Sequence, residues 1–172
     1  AASDVYKRQV PVCSKTTSLP DLSLIVSGDY EKYAKVATLH KSADLLVDAG
    51  DHVQGGVIGT LSKGEYIVDI MNYLKYDAAV PGNHEFDYGY TQLKDNMTKA
   101  KFKVLCADVF NADGTPIFDA NYTYTTKSGV KVGFFGMETP ETQTKANPTK
   151  IKGLTFATND AFTLSLIHIS EP

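Results

Sequence analysis

ADLLVDAGDH (Ala43–His52) and DAAVPGNHEFD (Asp77–Asp87) decide the reading of this chain. Each opens as a short apolar run and ends in a glycine followed by residues able to bind metal or move protons. A continuous apolar run of that length suits a strand buried on both faces, as in a parallel sheet. Gly50 and Gly82 permit tight turns directly before Asp51 and Asn83. The segment between the two runs is long enough for one β-α-β crossover. In open α/β sheets ligands bind beyond the carboxyl ends of the strands. If the two strands are near neighbours, both loops emerge at one edge.

Outward from these runs the chain keeps alternating. Glu31–Lys41 carries Tyr33, Val36, Ala37 and His40 at helical spacing. Lys63–Tyr76 places Tyr66, Ile67, Ile70, Met71 and Leu74 along one helical face. Thr91–Ala100 predicts a helix and Phe102–Val109 a third strand. Asn121–Thr126 and Val130–Met137 flank Lys127-Ser128-Gly129, the pattern of a β-hairpin. Thr139–Gly153 reads as loop. Strand, helix, strand, helix, strand in order predicts an α/β fold with a parallel or mixed sheet, flanking helices and a hairpin.

Each residue type at the two loop tips suits a task. Asp51 can bridge two cations about 3.5–4 Å apart, because a carboxylate has two oxygens. Asn83 offers a neutral carbonyl oxygen that leaves such a pair net positive. His84 can donate to a phosphoryl oxygen or leaving group. Asp87, three residues on, can reach the other ring nitrogen and fix the tautomer. The bland alternatives are capping or solvated carboxylates. His52 reads as an exposed loop histidine, Glu85 as a carboxylate at a helix start or, as its alternative, a residue supporting the metal ligands from behind, Asp48 as a residue that orients its loop, Glu138 as a loop residue and Cys106 as core.

The 172 residues carry a formal charge of -3, which offers no basic surface for a nucleic-acid backbone. No apolar run approaches the roughly 20 residues of a membrane-spanning helix. Cys13 and Cys106 form no C-x-x-C pattern, so structural zinc is not indicated.

LLVDAGDHVQG (Leu45–Gly55) and PGNHEFDYG (Pro81–Gly89) resemble the GD and GNHE blocks of calcineurin-like metallophosphoesterases. The likeness is to the N-terminal domain of the bacterial 5'-nucleotidase and 2',3'-cyclic phosphodiesterase family. YAKVATL (Tyr33–Leu39) and METPET (Met137–Thr142) extend it. The resemblance implies the first half of an αββα sandwich. It implies two divalent ions, drawn from Zn, Mn, Co, Mg or Fe, with Asp51 as bridging ligand and Asn83 as ligand of the second ion. It implies His84 and Asp87 as the catalytic dyad, a small nucleotide as substrate, and a periplasmic, cell-surface or secreted setting.

The family's Asp-x-His block has no counterpart upstream of Tyr33, and its later histidine blocks and C-terminal substrate domain lie beyond this sequence. The expectation is therefore a metallophosphoesterase piece over residues 10–164, inactive alone. Residues 1–9 and 165–172 fit the middle poorly and are expected to be non-native read-through. The alternative is a non-catalytic or degenerate homologue binding one metal or none.

Overall fold

The computed structural model describes residues 27–157. The termini read above as non-native, Cys13 and the segment expected to lack the Asp-x-His block up to residue 26 lie outside the described residues.

A central parallel sheet has the order β1 (Val47–Asp48), β2 (Ala78–Ala79), β3 (Lys103–Val104). Val47 pairs with Ala78 and Asp48 with Ala79, while Ala78 and Ala79 pair with Lys103 and Val104. β1 and β2 are thus direct neighbours, and their carboxyl ends share an edge. The middle strand is two buried alanines, whose small side chains let helices pack close on the sheet.

Helices fill the crossovers. α1 (Ser27–Leu39) leads through a 3-10 turn at His40–Ser42 into β1. His40 Nδ1 lies 2.8 Å from the Leu74 carbonyl, so this histidine fastens the turn to the end of α3. α2 (Val57–Ser62) and α3 (Glu65–Leu74) connect β1 to β2. α3 buries Ile67, Ile70, Met71 and Leu74 of the apolar stripe expected from the sequence, but Tyr66 is 47% exposed and Val68 is buried in addition. It stops at Lys75, which adopts a left-handed conformation, while the Tyr76 amide donates to the Met71 carbonyl. α4 (Tyr90–Thr98) joins β2 to β3 and packs Leu93 and Met97 into the core around Phe86.

α2 starts directly after Gly55 and Gly56. Two local expectations need correcting. The strand expected over Phe102–Val109 is broken. After Leu105 bonds to Ala79, the Cys106 amide turns to Asp119 and the Ala107 amide to Gly136. The chain leaves the parallel sheet there and resumes as β4 (Val109–Phe110), paired antiparallel with β7 (Thr155–Phe156). The Thr139–Gly153 loop contains a short helix, α5 (Thr142–Lys145). The hairpin forms as expected, with β5 (Asn121–Thr125) antiparallel to β6 (Lys131–Phe135).

Behind this architecture lies a buried carboxyl, Glu138, 3% exposed. Its Oε1 accepts from the Thr142 hydroxyl, and its Oε2 has no hydrogen-bond partner. Burial raises its pKa to about 8, from 4.5 for a free glutamate, and Glu85 and Asp108 add to the rise. A carboxyl whose folded-state pKa is raised gives its full share of stability below the unfolded pKa and loses it as pH rises through the folded one. Between about pH 4.5 and 8 the stability should therefore fall by up to roughly 1.4 kcal/mol per pH unit on account of this group. Glu138→Gln should remove that slope. Denaturant midpoints at pH 5, 6.5 and 8 measure it, and identical slopes in both proteins would rule the account out.

Candidate active site

The loop after β1 turns through Gly50 and Asp51, which both have positive φ, 93° and 64°. The left-handed region is open to glycine but costs an aspartate energy, so Asp51 must be held there by its contacts. The loop after β2 passes Gly82 and winds into a 3-10 turn over Asn83–Phe86. The loops meet at the two glycines. A Cβ on Gly50 would lie 2.6 Å from the Gly82 nitrogen, and one on Gly82 would lie 2.4 Å from Asp51 Oδ1.

Side chains tie the loops in both directions. Asp51 Oδ1 accepts the His84 amide at 3.2 Å. In return Glu85 Oε2 accepts the amides of Asp51 and Gly82, each at 2.6 Å, and Oε1 accepts the Val53 amide at 3.0 Å. Asp51 and Asn83, separated by a whole crossover in sequence, are therefore held at one edge of the sheet, with Asp51 bonded to Asn83's immediate neighbour.

His84 Nδ1 lies 2.7 Å from Asp87 Oδ2. A carboxylate only accepts, so Nδ1 carries the proton and Nε2 is the ring nitrogen left for other work. The pair is partly exposed, 46% for the histidine side chain and 32% for the aspartate.

His52 is not the exposed residue expected. Its side chain is 7% exposed, and Nδ1 donates to Asp48 Oδ1 at 2.9 Å, with Glu85 Oε1 at 3.7 Å. Burial opposes a charge on this ring, yet Glu85, Asp48 and Asp51 outweigh it and raise the pKa to about 9. Asp48 also accepts the Gly50 amide at 2.9 Å, so it does shape its loop. Glu85 combines both roles open to it from the sequence. It occupies the first turn of the 3-10 segment, as expected of a helix-start carboxylate, but it is also buried, 2% exposed, and reaches the opposite loop. Its position beside the Asn83-His84 pair allowed that second role, but spacing alone could not show which amides it reaches.

Among the described residues no three His, Cys, Asp or Glu side chains form a group that could hold a metal ion. The Asp51 carboxylate and Asn83 amide are oxygen donors suited to hard or borderline dications, and two such donors make part of a coordination shell. A cavity of about 500 Å³ adjoins Asp48, Asp51 and His52, but its lining omits Asn83, His84 and Asp87, so it carries no substrate assignment. No described helix is long and apolar enough to cross a membrane.

The sequence profile of the calcineurin-like phosphoesterases matches residues 3–161. Among curated proteins, the 5'-nucleotidase of Rattus norvegicus is 34% identical over 154 residues, covering 85% of this chain and 27% of that protein. The snake venom 5'-nucleotidase of Naja atra is 36% identical over 122 residues, 68% of this chain and 23% of its own length. The chain thus spans about a quarter of the length of these relatives. Among solved structures, a 5'-nucleotidase precursor from Thermus thermophilus superposes with a TM-score of 0.64 at 29% identity, covering 75% of this chain and 26% of that one. A parallel sheet with flanking helices, two strand-tip loops locked together and a profile match over most of the sequence converge: this chain belongs to the calcineurin-like phosphoesterase family.

Proposed function

We propose that the protein of which this chain forms the N-terminal part, over residues 10–164, hydrolyses phosphate esters of nucleotides in a metal-dependent reaction of the 5'-nucleotidase type. The observation that carries this is the mutual bonding of the two strand-tip loops, which sets Asp51 beside the Asn83-His84 pair, with Asp87 on the histidine ring.

Calcineurin-like phosphoesterases use divalent metals. Here Asp51 and Asn83 would hold a pair of them, of a kind among Zn, Mn, Co, Mg and Fe, and the ions would supply positive charge for the phosphoryl oxygens. Asp51 binds through a carboxylate whose backbone is already fixed. Asn83 binds through a neutral oxygen, which preserves the positive charge that attracts a dianionic phosphate. His84 Nε2–H of the doubly protonated ring would donate to the phosphoryl oxygen or the leaving group, and Asp87, accepting from Nδ1–H, orients that ring and stabilises its charge. The remaining ligands and the substrate-binding domain come from outside the described residues. The reaction is set outside the cytoplasm, in keeping with relatives that include a venom enzyme.

The test is release of phosphate from a nucleoside 5'-monophosphate by the full-length protein. Dialysis against a chelator should abolish it and added Mn²⁺ should restore it, while residues 10–164 alone should release none above buffer. Turnover that survives chelation undiminished would overturn the metal-dependent reading.

A further inference from the structure

Glu85 is a buried carboxylate with no lysine or arginine paired to it among the described residues. A charge so placed is costly unless hydrogen bonds satisfy it. What satisfies it is main chain: the amides of Asp51 and Val53 from one loop and of Gly82 from the other, with the His52 ring at 3.7 Å. The choice of amides is informative. Asp51 is itself the left-handed residue of its loop, and Gly82 directly precedes Asn83. The Val53 bond pins the chain two residues beyond Asp51. One side chain thus fixes the backbone at both donors assigned to the metals.

The parallel sheet and the core helices hold β1 and β2 together without it, since β1 and β2 pair directly and Leu46, Ala79 and Met71 share the core. What they leave undetermined is the conformation of the loop tips, where the Asp51 backbone would relax out of the left-handed region if released. The reciprocal bond from the His84 amide to Asp51 Oδ1 depends on that same conformation.

We propose that Glu85 is the positioning residue of the metal site: its carboxylate sets the separation and orientation of Asp51 and Asn83, and so the affinity for the ions, without touching them. This rests on the metal-dependent reading above. A glutamine at the position would keep the size but present an N–H₂ group to one of the three amides, replacing an acceptor with a donor.

The experiment compares the full-length protein with Glu85→Gln, measuring Mn²⁺ binding by calorimetry, the Mn²⁺ activation constant, kcat at saturating Mn²⁺, and hydrogen exchange in peptides spanning residues 49–54 and 81–87. The expected result is a Mn²⁺ dissociation constant and activation constant both raised about 10–100-fold, as for residues that orient metal ligands. Exchange should quicken in those two peptides alone, and kcat should recover to within about threefold once Mn²⁺ saturates, which a general loss of structure would not allow. If Glu85→Gln does not fold, Glu85→Asp keeps the buried charge, shortens its reach and is judged by the same readings. Binding and exchange unchanged from wild type would overturn the proposal and leave the metal reading intact. Wild-type protein that takes up no Mn²⁺ would overturn the metal reading and the proposal together.

Discussion

His84→Ala should lower kcat of the full-length protein by about 10²–10⁴-fold at saturating metal, the usual range for a lost general acid or hydrogen-bond donor. The fold should survive. The side chain is nearly half exposed, and its one described polar contact is with Asp87. The contact that joins the loops uses the His84 amide, which alanine retains. Metal binding should therefore change little, and the loss should fall on kcat rather than on the Mn²⁺ activation constant, the reverse of the pattern expected for Glu85→Gln. Asp87→Asn should give a smaller loss in the same direction. Asparagine can still accept from Nδ1–H but lacks the negative charge that stabilises the doubly protonated ring, so Nε2–H is presented for a smaller share of the time. Steady-state kinetics on the two variants read this directly. Unchanged turnover in His84→Ala would remove the histidine from the mechanism.

The parts of this architecture legible in the sequence are those governed by periodicity. The apolar stripe of α3 lies where Ile67, Ile70, Met71 and Leu74 put it, and the hairpin turns at Lys127–Gly129 as its alternation requires. The two strand tips could be placed at one edge because parallel strands joined by a crossover share their direction, and the pairing of Val47 with Ala78 confirms that neighbourhood. What failed has a common physical origin: long-range hydrogen bonds that leave no local trace. The strand over Phe102–Val109 has an unbroken look, but Cys106 and Ala107 bond to Asp119 and Gly136, and Asp108, 2% exposed, accepts the Glu138 amide. A buried carboxylate bonded across thirty residues is invisible to spacing. His52 and Glu85 repeat the lesson at the site. Both sit in loops, where polar side chains are usually solvated; Glu85 is buried because the opposite loop supplies its amides, and His52 because it donates to Asp48 beside it with Glu85 of the other loop 3.7 Å away.

Gly50→Ala should cost roughly 2–5 kcal/mol of stability, a large share of the 5–15 kcal/mol typical of a folded domain. Two effects add. The φ of 93° puts an L-residue in a region costing about 1–2 kcal/mol. The new methyl would also meet the Gly82 nitrogen at 2.6 Å, the Gly82 Cα at 2.8 Å and the Pro81 carbonyl carbon at 3.0 Å, all of them backbone atoms that no rotamer change can move. Overpacking of that kind costs about 1–3 kcal/mol. Gly55→Ala separates the two contributions. Its φ is 102°, but a Cβ there would find nothing within 4 Å, so only the conformational cost applies. Denaturant unfolding of the two variants should place Gly55→Ala within about 1–2 kcal/mol of wild type and Gly50→Ala well below it. The relief available to Gly50→Ala is for the two loops to part, which would stretch the bonds from the Asp51 and Gly82 amides to Glu85 and weaken metal binding even where the domain still folds. Equal losses in the two variants would mean that the loops do not approach each other this closely. The contact between Gly50 and Gly82 would then no longer account for the meeting of Asp51 with the Asn83–Asp87 turn.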